Sequence, residues 1–397
     1  MIAFQQQNPS FSFVHSQFQH YYNTVDLPLP DRFSRREFAF VVFNGKGMHR
    51  HLGFTKKDDV IQYIQEKTPV HAYYSSAYYQ YPSASTMKEK EWMGAELIFD
   101  LDSDHLPNAD QLSYEQSLDL VKQEFIKLVH EFLLDDFGFK KKDLELYFSG
   151  GRGYHCHVKD PVVMDLDSDE RREIVDYIIA RDLQDSIIFR EHATGKKEYH
   201  GRVFASGKRL EMPQPSEPGW NGRISREIIN IVDTIRQSND PKEKLKEYGV
   251  SSKDAEKLVE ELSDSRVQRI KDGYLDQSKT LRRFFLNNAL RKTAVALSAG
   301  ETDEPVTCDV KRLIRLPLSH GKTGFQVKAI HVDNLEDFEP LTEAVVLSDE
   351  LVNVEMNTTY SITLKDTDFS LEKGRCTVPI YLAVFLIGRK LATIPDV

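Results

Sequence analysis

The segment ELIFDLDSDH, residues 96–105, sets Asp100, Asp102 and Asp104 at every second position behind an apolar run. Side chains alternate between the faces of a strand, so Asp100 and Asp102 share one face and form a single ligand surface. Two carboxylates so placed raise each other's pKa unless a cation lies between them, and hard oxygen donors of this kind suit Mg2+ or Mn2+. Taken alone, a D-x-D spacing more often marks an Asp-rich loop after a strand, its carboxylates solvated or capping a helix. Other residues must decide.

A second constellation is SGGRGYHCHV, residues 149–158. Its glycines let backbone amides approach an anion, Ser149 can donate a hydrogen bond, and Arg152 can fork onto phosphate oxygens. His155 and His157 share a strand face and open the idea of a zinc site, although an H-x-H pair without a third nearby ligand is more often core or substrate-contacting. The third constellation, ETDEPVTCDVKRLIRLPLSHGKTG at 301–324, brings Asp303 and Asp309 together with Lys311, Arg312, Arg315, His320 and Lys322 around an HGKTG turn. Such a turn can hold a triphosphate, but it is no Walker A loop, because Leu316 stands where that motif needs glycine. By itself this segment reads as a charged strand edge and hairpin turn. In combination, metal-binding carboxylates, a Gly/Ser/Arg/His element and a basic turn are what nucleotidyl transfer requires, with a third carboxylate expected from a distant part of the chain.

The elements that position these residues read as mixed α/β. REFAFVVF at 36–43 followed by NGKG suggests a strand entering a hairpin, and HAYYSSAYY at 71–79 is further sheet material. From 113 to 134 the period becomes helical, with Ser113 and Gln116 as a capping box. LELYFSGGRGYHCHVKD then reads as strand, glycine turn and strand. Three prolines and two glycines in MPQPSEPGWNG, 212–222, mark a boundary, after which 223–297 is helical in character; Ser251 and Asp254 form a cap pair there. β-like signal returns in KRLIRLPL, FQVKAIHV and TYSITL. This order predicts an α/β domain over 1–204 and 297–397 with a small helical insertion at 205–296.

Length and charge narrow the classes. At 397 residues the chain exceeds one ordinary core. With 52 Lys and Arg against 62 Asp and Glu, a protein that coats nucleic acid through its overall field is disfavoured, leaving room for a local basic cleft. Cys156, Cys308 and Cys376 lie far apart without C-x-x-C pairing, so neither a disulfide framework nor a four-cysteine zinc site is expected, and a reducing, cytoplasmic setting fits. No signal peptide and no membrane span are read; VPIYLAVFLIGRKLA is the most apolar window and is expected as a buried strand or core helix.

At these residues the chain resembles the catalytic small subunit of archaeal and eukaryotic DNA primase. The resemblance runs nearly end to end through RREFAF, KGMHRHLGF, YYSSAYY, GAELIFDLDSDHL, FLLDDFGF, YFSGGRGYHCHV and DEPVTCDVKRLIRLP, and looks archaeal. It implies a mixed-sheet primase catalytic domain with a helical subdomain. Asp100 and Asp102 match the family's metal-binding aspartates, and Asp303, rather than Asp309, is the third. Ser149, Arg152 and His155 match a nucleotide-binding S-x-x-R-x-x-H element; Arg315, His320 and Lys322 match triphosphate contacts, and Arg50 a further nucleotide-site arginine. Two departures stand out. Residues 103–143 hold no cysteine where the family carries a zinc knuckle, so no structural zinc is expected. The turn before His320 is one residue shorter than the family's P-x-S-L-H-G pattern.

What the resemblance implies is template-directed synthesis of primers on single-stranded DNA from nucleoside triphosphates, with Mg2+ or Mn2+, beside a large subunit that carries an iron–sulfur cluster. The rivals are a repair-type primase-polymerase that mainly extends existing primers, a non-catalytic scaffold of the replication machinery, and a zinc hydrolase using His155 and His157.

Overall fold

The computed structural model describes residues 8–43, 45, 47–105, 111–193, 195–200, 202–205, 208–275, 279–295 and 306–395. The chain divides into two units, one of Met1–Leu134, Gly138–Val175 and Ala296–Val397, the other of Asp135–Phe137 and Asp176–Val295. The candidate site belongs to the first.

In that unit the strands that matter are, in chain order, β1 (Phe38–Val42), β2 (Met48–Leu52), β3 (Pro69–Ser75), β4 (Leu97–Asp102), β5 (Leu144–Phe148), β6 (Gly153–Val158), β7 (Leu313–Arg315) and β8 (Lys328–Ile330). Three helices frame them: α1 (Pro9–Thr24), α2 (Tyr114–Lys127) and α3 (Ile380–Gly388). One antiparallel sheet has the order β7-β3-β1-β2, the other β8-β5-β6-β4. In the second sheet Asp100 pairs with His155 and Asp102 with Gly153, while His155 faces Tyr147 on its other side. Strand alternation then gives two unlike faces. Leu97, Phe99, Leu101, Leu146, Phe148, Tyr154 and Cys156 are buried on one, where Phe125 of α2 stacks on Tyr154 at 5.2 Å. Asp100, Asp102, His155 and His157 lie on the other.

The two sheets are tied by a buried polar network. Arg36, just ahead of β1, pairs with Glu96, just ahead of β4, and both are fully buried. Arg36 also donates to Tyr78 Oη at 2.7 Å and to the Ser75 carbonyl at 2.7 Å, and His157 Nδ1 lies 3.0 Å from Glu96 Oε2. Burial pushes the Glu96 carboxyl up, yet the hydrogen bond from His157 and the charge of Arg36 outweigh it and hold the carboxyl far below the usual range. Removing one member of such a pair costs about 3–5 kcal/mol, because the other charge is left buried alone.

Local rules explain the framing helices. Asn8 caps α1 by accepting from Ser10 N–H at 2.9 Å, Pro9 occupies its first turn, and Phe11, Val14, Phe18 and Tyr22 form its buried stripe. In α2 the capping box of Ser113 and Gln116 is formed, and the helix continues through a π-helical turn, Leu128–Asp136. The apolar C-terminal window is α3, a helix buried on every side. A strand pair, Leu351–Met356 with Gly374–Pro379, leads into it.

The second unit packs Gly219–Gln237, with Ile224, Ile228, Ile231, Val232 and Ile235 buried, among the helices Pro241–Glu247, Ser252–Glu261, Asp264–Lys271 and Lys279–Thr293. Ser251 caps Ser252–Glu261 through Asp254 N–H. Lys208–Glu211 pairs with Arg190–Ala193 and with the two-residue strand Tyr274–Leu275, elements too short to leave a period in the sequence. Among the described residues no helix is long and apolar enough to cross a membrane.

Candidate active site

A cavity of about 670 Å3 opens in the first unit, with Asp100, Asp102 and His155 in its wall together with His71, Tyr73 and Arg315 from β3 and β7. His155 Nε2 lies 3.1 Å from Asp100 Oδ1, across the strand pair that register places opposite. Burial pushes the Asp100 carboxyl up, but His155, Arg312 and Arg315 more than offset this and keep it below the ordinary aspartate value. Asp100 therefore stays ionised with one oxygen engaged by His155.

The alternating aspartates separate after Asp102. Asp104 sits in the 3-10 turn Ser103–His105, donates its backbone N–H to Asp102 Oδ1 at 3.2 Å, and pairs through its carboxylate with Arg152. Asp303, the expected third carboxylate, lies outside the described residues. The described chain resumes at Val306 in a 3-10 turn, Val306–Cys308, that lies against β4. Asp309 does not line the cavity.

The rest of the wall is cationic. Ser149, Gly150, Gly151 and Arg152 form a loop between β5 and β6, where Ser149 Oγ accepts from Gly153 N–H at 3.2 Å. Two glycines bring three backbone segments together. A Cβ on Gly321 would meet the Gly150 carbonyl oxygen at 2.2 Å, and one on Gly388 would meet that of Lys322 at 2.1 Å. The Lys322 turn is thus wedged between the anion loop and the end of α3, and Thr323 Oγ1 donates to the Gly150 carbonyl at 3.3 Å. Arg315 donates from Nη1 to His71 Nδ1 at 3.1 Å, and its guanidinium lies 5.9 Å from the Tyr73 ring centre. Burial, together with the charges of Arg315 and Lys322, lowers the His71 pKa to about 3, so the imidazole is neutral and can accept. Partial burial and the neighbouring Arg152, Arg389 and Arg315 likewise lower the pKa of Lys322.

Ser149, Arg152, His155, Arg315 and Lys322 are thus brought together with Asp100 and Asp102. His320 and Arg50 are placed elsewhere. The His320 ring is fully buried among Tyr21 (4.1 Å), Phe18 (4.6 Å) and Tyr22 (5.9 Å), with neither ring nitrogen given a hydrogen-bond partner of good geometry. The ring does not line the cavity; the His320 backbone is hydrogen-bonded to His71 of the cavity wall and leads into the turn that carries Lys322. Arg50 lies on β2, half-exposed, with Nε donating to Glu37 Oε1 at 3.0 Å, and does not line the cavity. Residues that sequence reasoning did not assign to the site are His71, Tyr73, Tyr114, Thr323 and Arg389. Thr323 lies in the HGKTG turn and Tyr73 in YYSSAYY, and Arg389 is the first charge after a long apolar run, but none of these signals singled out the residue itself.

Among the described residues no group of three or more His, Cys, Asp or Glu is gathered that could hold a metal ion. His155 and His157 are each engaged by a carboxylate, Asp100 and Glu96. What the described residues offer is two hard carboxylates on one strand face beside a cationic wall, a donor set that suits Mg2+ or Mn2+ rather than a soft metal.

A family model described as DNA primase small subunit matches residues 99–331. The DNA primase small subunit PriS of Methanococcoides burtonii is 40% identical over 387 residues, covering 96% of this chain and 97% of its own. PriS of Methanocella arvoryzae is 39% identical over 390 residues, covering 95% and 97%, and that of Picrophilus torridus 37% over 394, covering 94% and 95%.

Proposed function

This chain belongs to the DNA primase small-subunit family, a family of DNA-directed nucleotidyltransferases, and on that premise we propose that it starts primers on single-stranded DNA from nucleoside triphosphates in a metal-dependent reaction. One observation carries the reading. Arg312, Arg315, Lys322 and Arg389 line the cavity with no carboxylate ion-pair partner among the described residues, while Asp100 and Asp102 share the same space. Cations in excess of the carboxylates within one cavity suit a polyphosphate bound with a divalent ion.

Asp100 and Asp102, joined by Asp303, are the carboxylates that would hold Mg2+ or Mn2+, and a divalent ion there supplies charge neutralisation at the α-phosphate and a more acidic 3′-hydroxyl. His155 fixes Asp100 in its ionised form. The loop Ser149–Arg152 offers backbone amides and a guanidinium to the phosphates, Lys322 faces the same loop, and Arg315 is held in place by neutral His71. Arg152 must leave Asp104 to reach a phosphate, an exchange of one anion for a more highly charged one. The glycine contacts at Gly321 and Gly388 keep these cations from drifting apart, so little reorganisation is needed when charge develops on the leaving pyrophosphate.

We read the second unit, which contains most of the segment 205–296, as the helical subdomain implied by the resemblance, and a primase large subunit as the partner. The test is labelled-nucleotide incorporation on an unprimed single-stranded template, with and without Mg2+ or Mn2+. Metal-dependent products on template alone support the reading; products that form only when a primer is supplied would replace it with primer extension.

A further inference from the structure

Arg389, the residue that ends α3, lines the cavity but holds none of the nucleotide-binding roles assigned above. Resting on the nucleotidyl-transfer reading, we propose that Arg389 seats the terminal phosphate of the incoming nucleoside triphosphate and so helps the site distinguish triphosphates from shorter phosphates.

Its position comes first. Arg389 lines both the main cavity and an adjoining one of about 400 Å3, whose wall also includes Ser103, Asp104, Tyr114, Ser117 and Arg152. Neither Asp100 nor Asp102 borders that second space. A nucleotide with its α-phosphate at the carboxylates and its β-phosphate along the Ser149–Arg152 loop would extend its last phosphate toward this end.

The guanidinium is also held in advance. Arg389 N–H donates to the Phe385 carbonyl at 3.0 Å, closing the helix, and Gly388 seats that helix end on the Lys322 carbonyl. The guanidinium carbon lies 4.7 Å from the Tyr114 ring centre and 5.6 Å from that of Phe385. Tyr114 in turn donates its hydroxyl to the Gly151 carbonyl, so the ring under the guanidinium is tied to the anion loop itself. Stacking orients a planar fork without consuming its N–H donors, which remain for phosphate oxygens.

Charge completes the case. Arg152 is neutralised by Asp104, but Arg389 has no carboxylate partner among the described residues and lies close enough to Lys322 to disfavour its protonation. Among the described residues, Asp104 is the carboxylate whose charge reaches Lys322, and it is already paired with Arg152, so Arg152, Lys322 and Arg389 together carry an excess of positive charge that favours an added anion.

The experiment is single-nucleotide extension of a preformed primer by Arg389→Gln and Arg389→Lys, with inhibition by tripolyphosphate and by inorganic phosphate. Arg389→Gln should raise both KM for the nucleotide and the inhibition constant of tripolyphosphate roughly 10- to 100-fold, leave kcat nearly unchanged and leave inhibition by phosphate unchanged, with Arg389→Lys recovering part of the loss. KM and tripolyphosphate inhibition both within about twofold of wild type would overturn the proposal. A second measurement needs no variant: phenylglyoxal modification of wild-type Arg389, mapped by mass spectrometry, should be suppressed by tripolyphosphate, and unaltered modification overturns the proposal. Protection of Arg389 in a protein that incorporates no nucleotide at all would sink the polymerising reading and leave the phosphate site standing.

Discussion

His155 Nε2 and Asp100 Oδ1 stand 3.1 Å apart across adjacent strands, so one of the two cavity carboxylates arrives already oriented and ionised. Because burial alone would push the Asp100 carboxyl up, its low value depends on this partner and on Arg312 and Arg315. In His155→Phe the carboxyl should titrate at higher pH, and the acid limb of the activity profile should move upward with it. Half-saturation by Mn2+ should rise roughly 10- to 100-fold, the usual effect of losing a group that orients a metal ligand. An unchanged acid limb together with unchanged Mn2+ saturation would show that His155 has no such role.

Lys322 provides a signal that does not depend on turnover. Its ammonium is disfavoured in the free protein by partial burial and by Arg152, Arg389 and Arg315, so a bound polyanion must raise its pKa. As the pH rises toward the ordinary lysine range, binding of tripolyphosphate should therefore be accompanied by growing proton uptake, seen as a dependence of the calorimetric heat on the ionisation enthalpy of the buffer. Lys322→Gln should abolish that uptake and weaken binding roughly tenfold. Binding heats that ignore the buffer in the wild-type protein would contradict the placement.

His320 predicts a stability effect rather than a catalytic one. Burial lowers its pKa to about 3, against 6.5 for an unperturbed histidine. Above pH 6.5 the ring is neutral whether folded or unfolded; as pH falls toward 3 only the unfolded chain takes the proton, so stability is lost across that window by up to about 1.4 kcal/mol per pH unit. In His320→Phe this component of the acid slope should vanish. Urea midpoints measured from neutral to acid pH check it, and parallel curves for variant and wild type would refute it.

Much of this architecture could be read from local rules. The D-x-D spacing and the S-x-x-R-x-x-H segment lie on strands that pair with each other, so strand alternation alone puts Asp100, Asp102 and His155 on one face. The caps at Ser113 and Ser251 are formed as their spacing predicts. What could not be read depends on contacts far apart in the chain. His71 enters the site because β7 pairs beside β3, and Arg389 because Gly388 docks on the Lys322 turn. His320 carries a sequence pattern that places it with the triphosphate, but the aromatic stripe of α1, some three hundred residues earlier, encloses its ring; no local period reports such an encounter. Arg50 lies in a strand whose motif says nothing of Glu37, the buried carboxylate that engages it.

The central claim is that the carboxylates on β4 carry nucleotidyl transfer. It is tested most directly by purified Asp102→Ala on an unprimed single-stranded template with labelled nucleotides and either Mg2+ or Mn2+. The account predicts a variant with the circular dichroism and melting temperature of the wild type and no detectable primer with either metal. Primer synthesis at the wild-type rate by that folded variant would contradict it.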